Sequence, residues 1–214
     1  MQSKEDKVGL NEISKENLEP KILVNYCQPN IQFISRAKQL TPRSKEVVTV
    51  AVSLKDDLKI KGNHSISTRT GNGFLINTGY FDSKDFSRDY IVEVIDFDPV
   101  RNNMMVIGND PPAPDSAFQW FIYRGLPWIN GVLNINNLDI IESFSTKDYP
   151  IVDMYKKISN TDLALNILKT AKSSNICILK NKSVLVVGIT LKEAYNNFKK
   201  EYQKLSKQST LAKG

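Results

Sequence analysis

The chain has 214 residues, 41% of them apolar and 24% charged, with two cysteines, one histidine and a formal charge of +6 that is spread as +2 over residues 1–60, −4 over 61–150 and +8 over 151–214. This length buries a core without staples, and the composition excludes a collagen-like repeat, a disulfide scaffold and a disordered chain. One histidine excludes zinc sites built on two or three imidazoles, two cysteines exclude a thiolate-rich site, and any Ser/His/Asp or Cys/His nucleophile system would need His64 as its base.

The first twenty or so residues are rich in Lys, Glu, Asn and Ser and read as a flexible leader, without the apolar core of a targeting segment. Ile31, Phe33, Ile34, Ala37 and Leu40 then recur at helical spacing up to Pro42, which predicts one helix inside an N-terminal extension of residues 1–43. From Ser44 to Lys59 the apolar residues fit either period; the length and the Lys/Asp-rich end favour a helix, against the β-branched content.

From about residue 62 the texture changes to short strands and turns. Ser65–Arg69 and Phe74–Asn77 flank Thr70-Gly71-Asn72-Gly73, whose Gly-Asn-Gly offers the positive φ a hairpin turn uses. Tyr90–Phe97 and Asn103–Ile107 flank Asp98-Pro99-Val100-Arg101, a second antiparallel pair. Asp115–Arg124 carries Phe118, Phe121 and Ile122 on one face and reads as a helix closed by Gly125, followed by a buried strand from Trp128 to Ile135. An amphipathic helix is predicted from Thr161 to Lys172, then a strand pair, Asn175–Leu179 and Val184–Val187. The last helix opens on the capping box Thr190-Leu191-Lys192-Glu193 and frays into a tail from Ser206, with residues 207–214 flexible.

These elements make one three-layer α/β/α domain, with a mainly antiparallel sheet flanked by helices. The C-terminal charge is all Lys, with Lys199, Lys200, Lys204 and Lys207 on one helix, and reads as a solvated face; a Lys-rich nucleic-acid surface is the weaker reading. Cys27 and Cys177 read as two unpaired thiols of a reducing compartment. The longest apolar runs, such as Ser183–Gly188, fall far below the ~20 residues that span a bilayer. A cytoplasmic protein without membrane contact is therefore expected.

Three segments resemble the class II aldolase/adducin family, which includes fuculose-phosphate aldolase, ribulose-phosphate epimerase and the adducin head. Lys61-Gly62-Asn63-His64-Ser65-Ile66-Ser67 and Gly73-Phe74-Leu75-Ile76-Asn77-Thr78-Gly79 are similar to its Gly-Asn-x-Ser strand and the strand and turn that follow. Pro112-Ala113-Pro114-Asp115 leading to Ile122-Tyr123-Arg124 is similar to its Pro-Ser-Ser-Glu … Ile-Tyr-Arg segment, with the same spacing from Pro to Arg; Gly131 to Asn136 lies where the family has Val-Val-His-x-His. Leu179-Lys180-Asn181-Lys182-Ser183 through Gly188, with Glu193-Ala194, resembles its Leu-x-Asn-His-Gly … Glu-Ala ending. The resemblance covers about Ser44 to Leu205 and places the domain at residues 44–206.

The resemblance implies a cyclic homotetramer with pockets between subunits, and a zinc ion held by three His beside a catalytic Glu. The matching residues here are Asn134, Asn136 and Lys182, with Asp115 for the Glu. A neutral amide is a poor transition-metal ligand and an ammonium is none, so no metal and no cofactor is expected. Without a Lewis acid to take up the enediolate charge, zinc-dependent aldolase activity is not expected either. The family's phosphate cradle corresponds to Gly62, Asn63, Thr78 and Gly79, but its two serines become Ala113 and Pro114. Those four residues serve turn geometry or contact a small phosphorylated ligand. Asp115 reads as a helix N-cap or as a base, and His64 as a structural or surface residue. Phe118, Trp120, Phe121 and Trp128 read as core or subunit contact. Lys182 is expected to pair with Asp115 or to donate to the Asn134 and Asn136 side-chain oxygens; Schiff-base chemistry is its other reading. Two functions follow as expectations: a non-catalytic binding or assembly protein, or a metal-free lyase or isomerase acting through Lys182 and Asp115 on a small sugar phosphate or hydroxy-carbonyl compound.

Overall fold

A computed structural model describes residues 28–38, 41–62, 64–79, 86–145, 147–153 and 160–211. The leader, Asn63 and Cys27 lie outside these residues. In chain order the elements are β1 (Asn30–Ser35), α1 (Pro42–Val52), β2 (Ser65–Arg69), β3 (Phe74–Asn77), β4 (Ile91–Asp98), β5 (Asn103–Ile107), α2 (Ser116–Gly125), β6 (Gly131–Ile135), α3 (Leu138–Ser145), β7 (Ile151–Val152), α4 (Asn160–Ala171), β8 (Ile176–Leu179), β9 (Ser183–Gly188) and α5 (Leu191–Leu211). One nine-stranded sheet runs β1-β5-β4-β3-β2-β6-β9-β8-β7. It is antiparallel except where its two edge strands, β1 on β5 and β7 on β8, pair in parallel.

The alternation of side chains along each strand splits the core in two. Ile76, Val92, Val94, Val132, Leu185 and Val187 face α2 and α4, with Phe118, Ile122, Leu163 and Ile167 from those helices. Leu75, Leu133, Ile135, Val184 and Val186 face α1, α3 and α5, with Val47, Ile140, Phe144 and Phe198. The predicted three-layer α/β/α arrangement is thus the observed one.

The segment around Ile31 is a strand, and the expected helix is not there. Ile31 and Phe33 alternate against the α2 side of the sheet while Asn30 and Gln32 are exposed, a period of two. The helical spacing came from counting Ile34, which is 53% exposed. An open edge of β5 supplies the hydrogen-bond partners that a lone helix would have had to find internally. Pro42 begins α1 instead of ending a helix, behind the N-cap Thr41, because its missing N–H is spare in a first turn. That helix then widens into a π turn over Ser53–Asp57.

Both predicted hairpins form, but the first turns without the positive φ expected of Gly71-Asn72-Gly73; among the described residues the positive-φ positions are Lys59, Gly62, Asn102, Gly108 and Asn181. Gly73 is required for another reason, since a Cβ there would overlap the Val94 carbonyl oxygen on β4. The buried strand begins at Gly131, three residues after the half-exposed Trp128. Half of the capping box of α5 forms: the Glu193 N–H donates to Thr190 Oγ1 at 3.1 Å, while Glu193 Oε2 accepts from Ile189 N at 3.0 Å, one residue before the N-cap. The helix it opens continues past Ser206 to Leu211.

Candidate functional site

The N-terminal end of β2, the C-terminal ends of β3 and β6, and the start of β9 meet at one end of the sheet. Register sets this: Ser65 pairs with Asn134, Asn134 with Leu185, and Leu179 with Ser183. The β8–β9 hairpin turns through Asn181 at φ 58°, and the Lys182 N–H donates to Leu179 O at 2.9 Å. Asn tolerates this left-handed conformation, and Lys182 is delivered to the α2 side of the sheet.

There its Nζ lies 2.9 Å from Asp115 Oδ1, with the two side chains only 14% and 11% exposed. Asp115 stands at the N-terminus of α2 but caps nothing: its carboxylate makes no hydrogen bond to the helix amides, against the N-cap reading. Oδ2 accepts instead from Ser65 Oγ at 3.1 Å and from Asn134 Nδ2. The expectation that Lys182 pairs with Asp115 is the arrangement found. Asn134 Oδ1 accepts from nothing among the described residues although it is buried. Asn136 is exposed, and its backbone N–H donates to His64 Nδ1 at 3.1 Å.

The network continues inward. Gln119 Nε2 donates to Ser65 Oγ at 2.7 Å, Ser67 Oγ donates to Gln119 Oε1, and Tyr123 OH lies 2.7 Å from Ser67 Oγ. Since the Ser67 proton is committed to Gln119, Tyr123 is the donor in that last pair. Burial pushes the Tyr123 phenol far above its usual range, so it stays protonated and able to donate. The Arg69 guanidinium, 5.0 Å over the Tyr123 ring, anchors the far end by donating to the Tyr123, Leu126 and Ile129 carbonyls. Sequence reading missed Ser65, Ser67, Gln119 and Tyr123. The signal was present: Asp115, Gln119 and Tyr123 recur every fourth residue, a polar stripe on one helix face, opposite serines on alternate residues of a strand.

Burial lowers the pKa of the Lys182 ammonium from its ordinary value, opposed by the charge of Asp115 and the hydrogen bond to it. The Phe118 ring lies 5.7 Å from Nζ.

Of the residues expected at the phosphate end, Gly62, Thr78 and Gly79 lie on two neighbouring segments that form one rim. Gly62 has φ +121°, and a Cβ there would stand 2.6 Å from Asn136 O, so both conformation and close approach require glycine. Thr78 is buried, bridged to Pro112, and its N–H donates to Tyr90 O at 2.8 Å. Gly79 is exposed, and Asn63 lies outside the described residues. Asn77 ties this rim together: Oδ1 accepts from Ile66 N, and Nδ2 donates to His64 O and Thr78 O. His64 is buried with Nδ1 as acceptor, so it works as a structural residue and not as a surface one.

The zinc ion that the resemblance implies does not fit these residues. Its three imidazole positions hold two carboxamides and an ammonium already bound to the neighbouring carboxylate. Among the described residues, no group of three or more His, Cys, Asp or Glu side chains converges anywhere. Among the described residues, no helix is long and apolar enough to cross a membrane.

No protein-family model matches the sequence, and no curated protein matches it. Solved structures do. L-fuculose 1-phosphate aldolase superposes with a TM-score of 0.64 at 16% identity, over 82% of this chain and 88% of that one. The sugar-phosphate aldolase of Thermotoga maritima gives 0.57 at 14% identity, over 79% and 95%. The N-terminal class II aldolase domain of a protein from Thermoplasma acidophilum gives 0.54 at 16% identity, over 80% and 95%. At such identities the likeness speaks to the fold: this chain has the fold of the class II aldolases.

Proposed function

We propose that this protein is a class II aldolase fold that has lost the zinc centre and serves as a non-catalytic binding or assembly protein, in a homo-oligomer. One observation carries the reading. The Asp115 carboxylate accepts from Lys182, Ser65 and Asn134, so the group in the position of the catalytic Glu keeps at most one lone pair, on the oxygen that holds the Lys182 ammonium, for a substrate proton. Assembly is supported by Trp128 and Ile189, 50% and 58% exposed, on two segments that Asn130 joins through bonds to Gly188 O and Ile189 O. The rim of Gly62, Thr78 and Gly79 remains the place for a small phosphorylated ligand. Metal analysis, light scattering and a retro-aldol assay on sugar phosphates test this together. Substoichiometric zinc, an oligomeric mass and no cleavage are expected; zinc retained at one per chain, or turnover, overturns it.

The depressed Lys182 pKa favours a second reading, a metal-free lyase or isomerase that condenses Lys182 with a hydroxy-carbonyl compound and releases water. Borohydride reduction in the presence of a small keto sugar phosphate would then add a reduced adduct to the Lys182 peptide. An unmodified peptide dismisses this reading.

A further inference from the structure

We infer that the Lys182 ammonium is the resident cation of this site, a tethered counter-ion in place of an exchangeable one, and that truncating its tether turns the site into a receptor for a free primary alkylammonium ion. The inference rests on the zinc-loss reading. Every proton in the buried network points the same way: Tyr123 to Ser67, Ser67 to Gln119, Gln119 to Ser65, Ser65 to Asp115, with Asn134 donating to the same carboxylate. Such a chain ends on an anion by construction and needs one positive charge to balance it. Among the described residues the only ion pair to Asp115 comes from Lys182.

The contact at the carboxylate defines the chemistry of the counter-ion. Asp115 Oδ1 accepts from the Lys182 ammonium at 2.9 Å, a bond that a cation with N–H donors makes and a quaternary amine does not. The Phe118 ring, 5.7 Å from Nζ, adds an aromatic face to the same position. The tether itself is set by backbone, through the left-handed Asn181 and the Lys182 N–H bond to Leu179 O, and not by the ion pair. Shortening the side chain therefore leaves the carboxylate in place.

Lys182→Ala removes Cγ, Cδ, Cε and Nζ, which n-propylammonium replaces atom for atom. Thermal unfolding of K182A is followed with n-propylammonium, tetramethylammonium or sodium chloride at equal ionic strength, with wild type and K182M alongside. A saturable rise in the midpoint of K182A with n-propylammonium alone, and no rise in K182M, whose thioether fills the space, is expected. No rise, or the same rise with all three salts, overturns the inference. Should K182A fail to fold, amine acylation in the natural chain decides: relative to exposed Lys180, Lys182 should label at least about tenfold faster in Asp115→Asn than in wild type, as its amine loses the anion that keeps it protonated. Equal labelling in both overturns it. A wild-type protein free of zinc with an unrescued K182A sinks this inference alone, whereas stoichiometric zinc in wild type sinks the reading beneath it.

Discussion

Lys182→Met keeps most of the volume of the lysine stem and removes its charge, so the stability lost reports the ion pair and not a cavity. The pair is nearly buried, at 14% and 11% exposure. Stranding one partner of such a pair costs about 3–5 kcal/mol, and Ser65 and Asn134, which still donate to Asp115, place K182M at the lower end, about 3 kcal/mol. For a chain of this length that is a fall in Tm of about 6–12 °C. Asp115→Asn should cost less, about 1–2 kcal/mol, because burial already favours the neutral Lys182 amine. The double variant strands neither charge and should fall well short of the summed single losses, with a coupling of about 2 kcal/mol. The pH dependence has a definite sign. Burial holds the folded pKa of Lys182 below the 10.5 of the unfolded chain, so between those two values the unfolded state binds more protons and wild-type stability rises with pH. K182M lacks that rise, so the gap between the two proteins should widen from pH 7 to pH 10.5. Urea unfolding at both values measures it. A K182M within about 0.5 kcal/mol of wild type, or a gap that narrows with pH, would refute the reasoning.

Three other outcomes follow from the same structure. Asn77→Asp replaces a buried donor to the His64 and Thr78 carbonyls by an acceptor, and should cost about 3 kcal/mol or more, exceeding Asn77→Ala in thermal unfolding; the reverse order would show that the rim does not depend on that amide. Gly131→Ala would drive a Cβ into the Leu191 backbone and should cost about 2–3 kcal/mol, whereas Gly79→Ala meets nothing within 4 Å and should lie within about 0.5 kcal/mol of wild type; similar midpoints for the two would contradict the packing of β6 on α5. Burial pushes the Cys177 thiol up to about 12, so in a Cys27→Ser background it should react with Ellman's reagent only after denaturation; rapid reaction of native protein would place that thiol outside the core.

Much of the fold is legible in local patterns. Hairpin turns and alternating strands announce β2 to β5, the capping box announces α5, and spaced apolar residues announce α1, α2 and α4. Where the pattern was short, it failed. β1 offers only Ile31 and Phe33 as evidence of alternation, and α3 and the two-residue β7 lie in a stretch where no element was predicted. Edge strands are defined by the neighbour they pair with, so their own residues carry little of the information.

The candidate site divides along the same line. Residue types alone rule out three imidazoles at the expected metal positions, because a carboxamide and an ammonium cannot substitute for them whatever the backbone does. Sequence likewise names Asp115, Asn134 and Lys182 as the residues of interest. Whether Asp115 capped its helix or turned toward the sheet was open to both readings, since the same carboxylate reaches either by rotation about its own side chain. Only the packing of α2 across β2, β6 and the β8–β9 turn brings Ser65, Asn134 and Lys182, which lie 50, 19 and 67 positions from Asp115 in the chain, onto one carboxylate. Sequence determined which residue types stand at the expected metal positions; tertiary structure decided how they are joined, because a hydrogen-bond network across α2, β2, β6 and the β8–β9 turn is a property of their juxtaposition and of none of them singly.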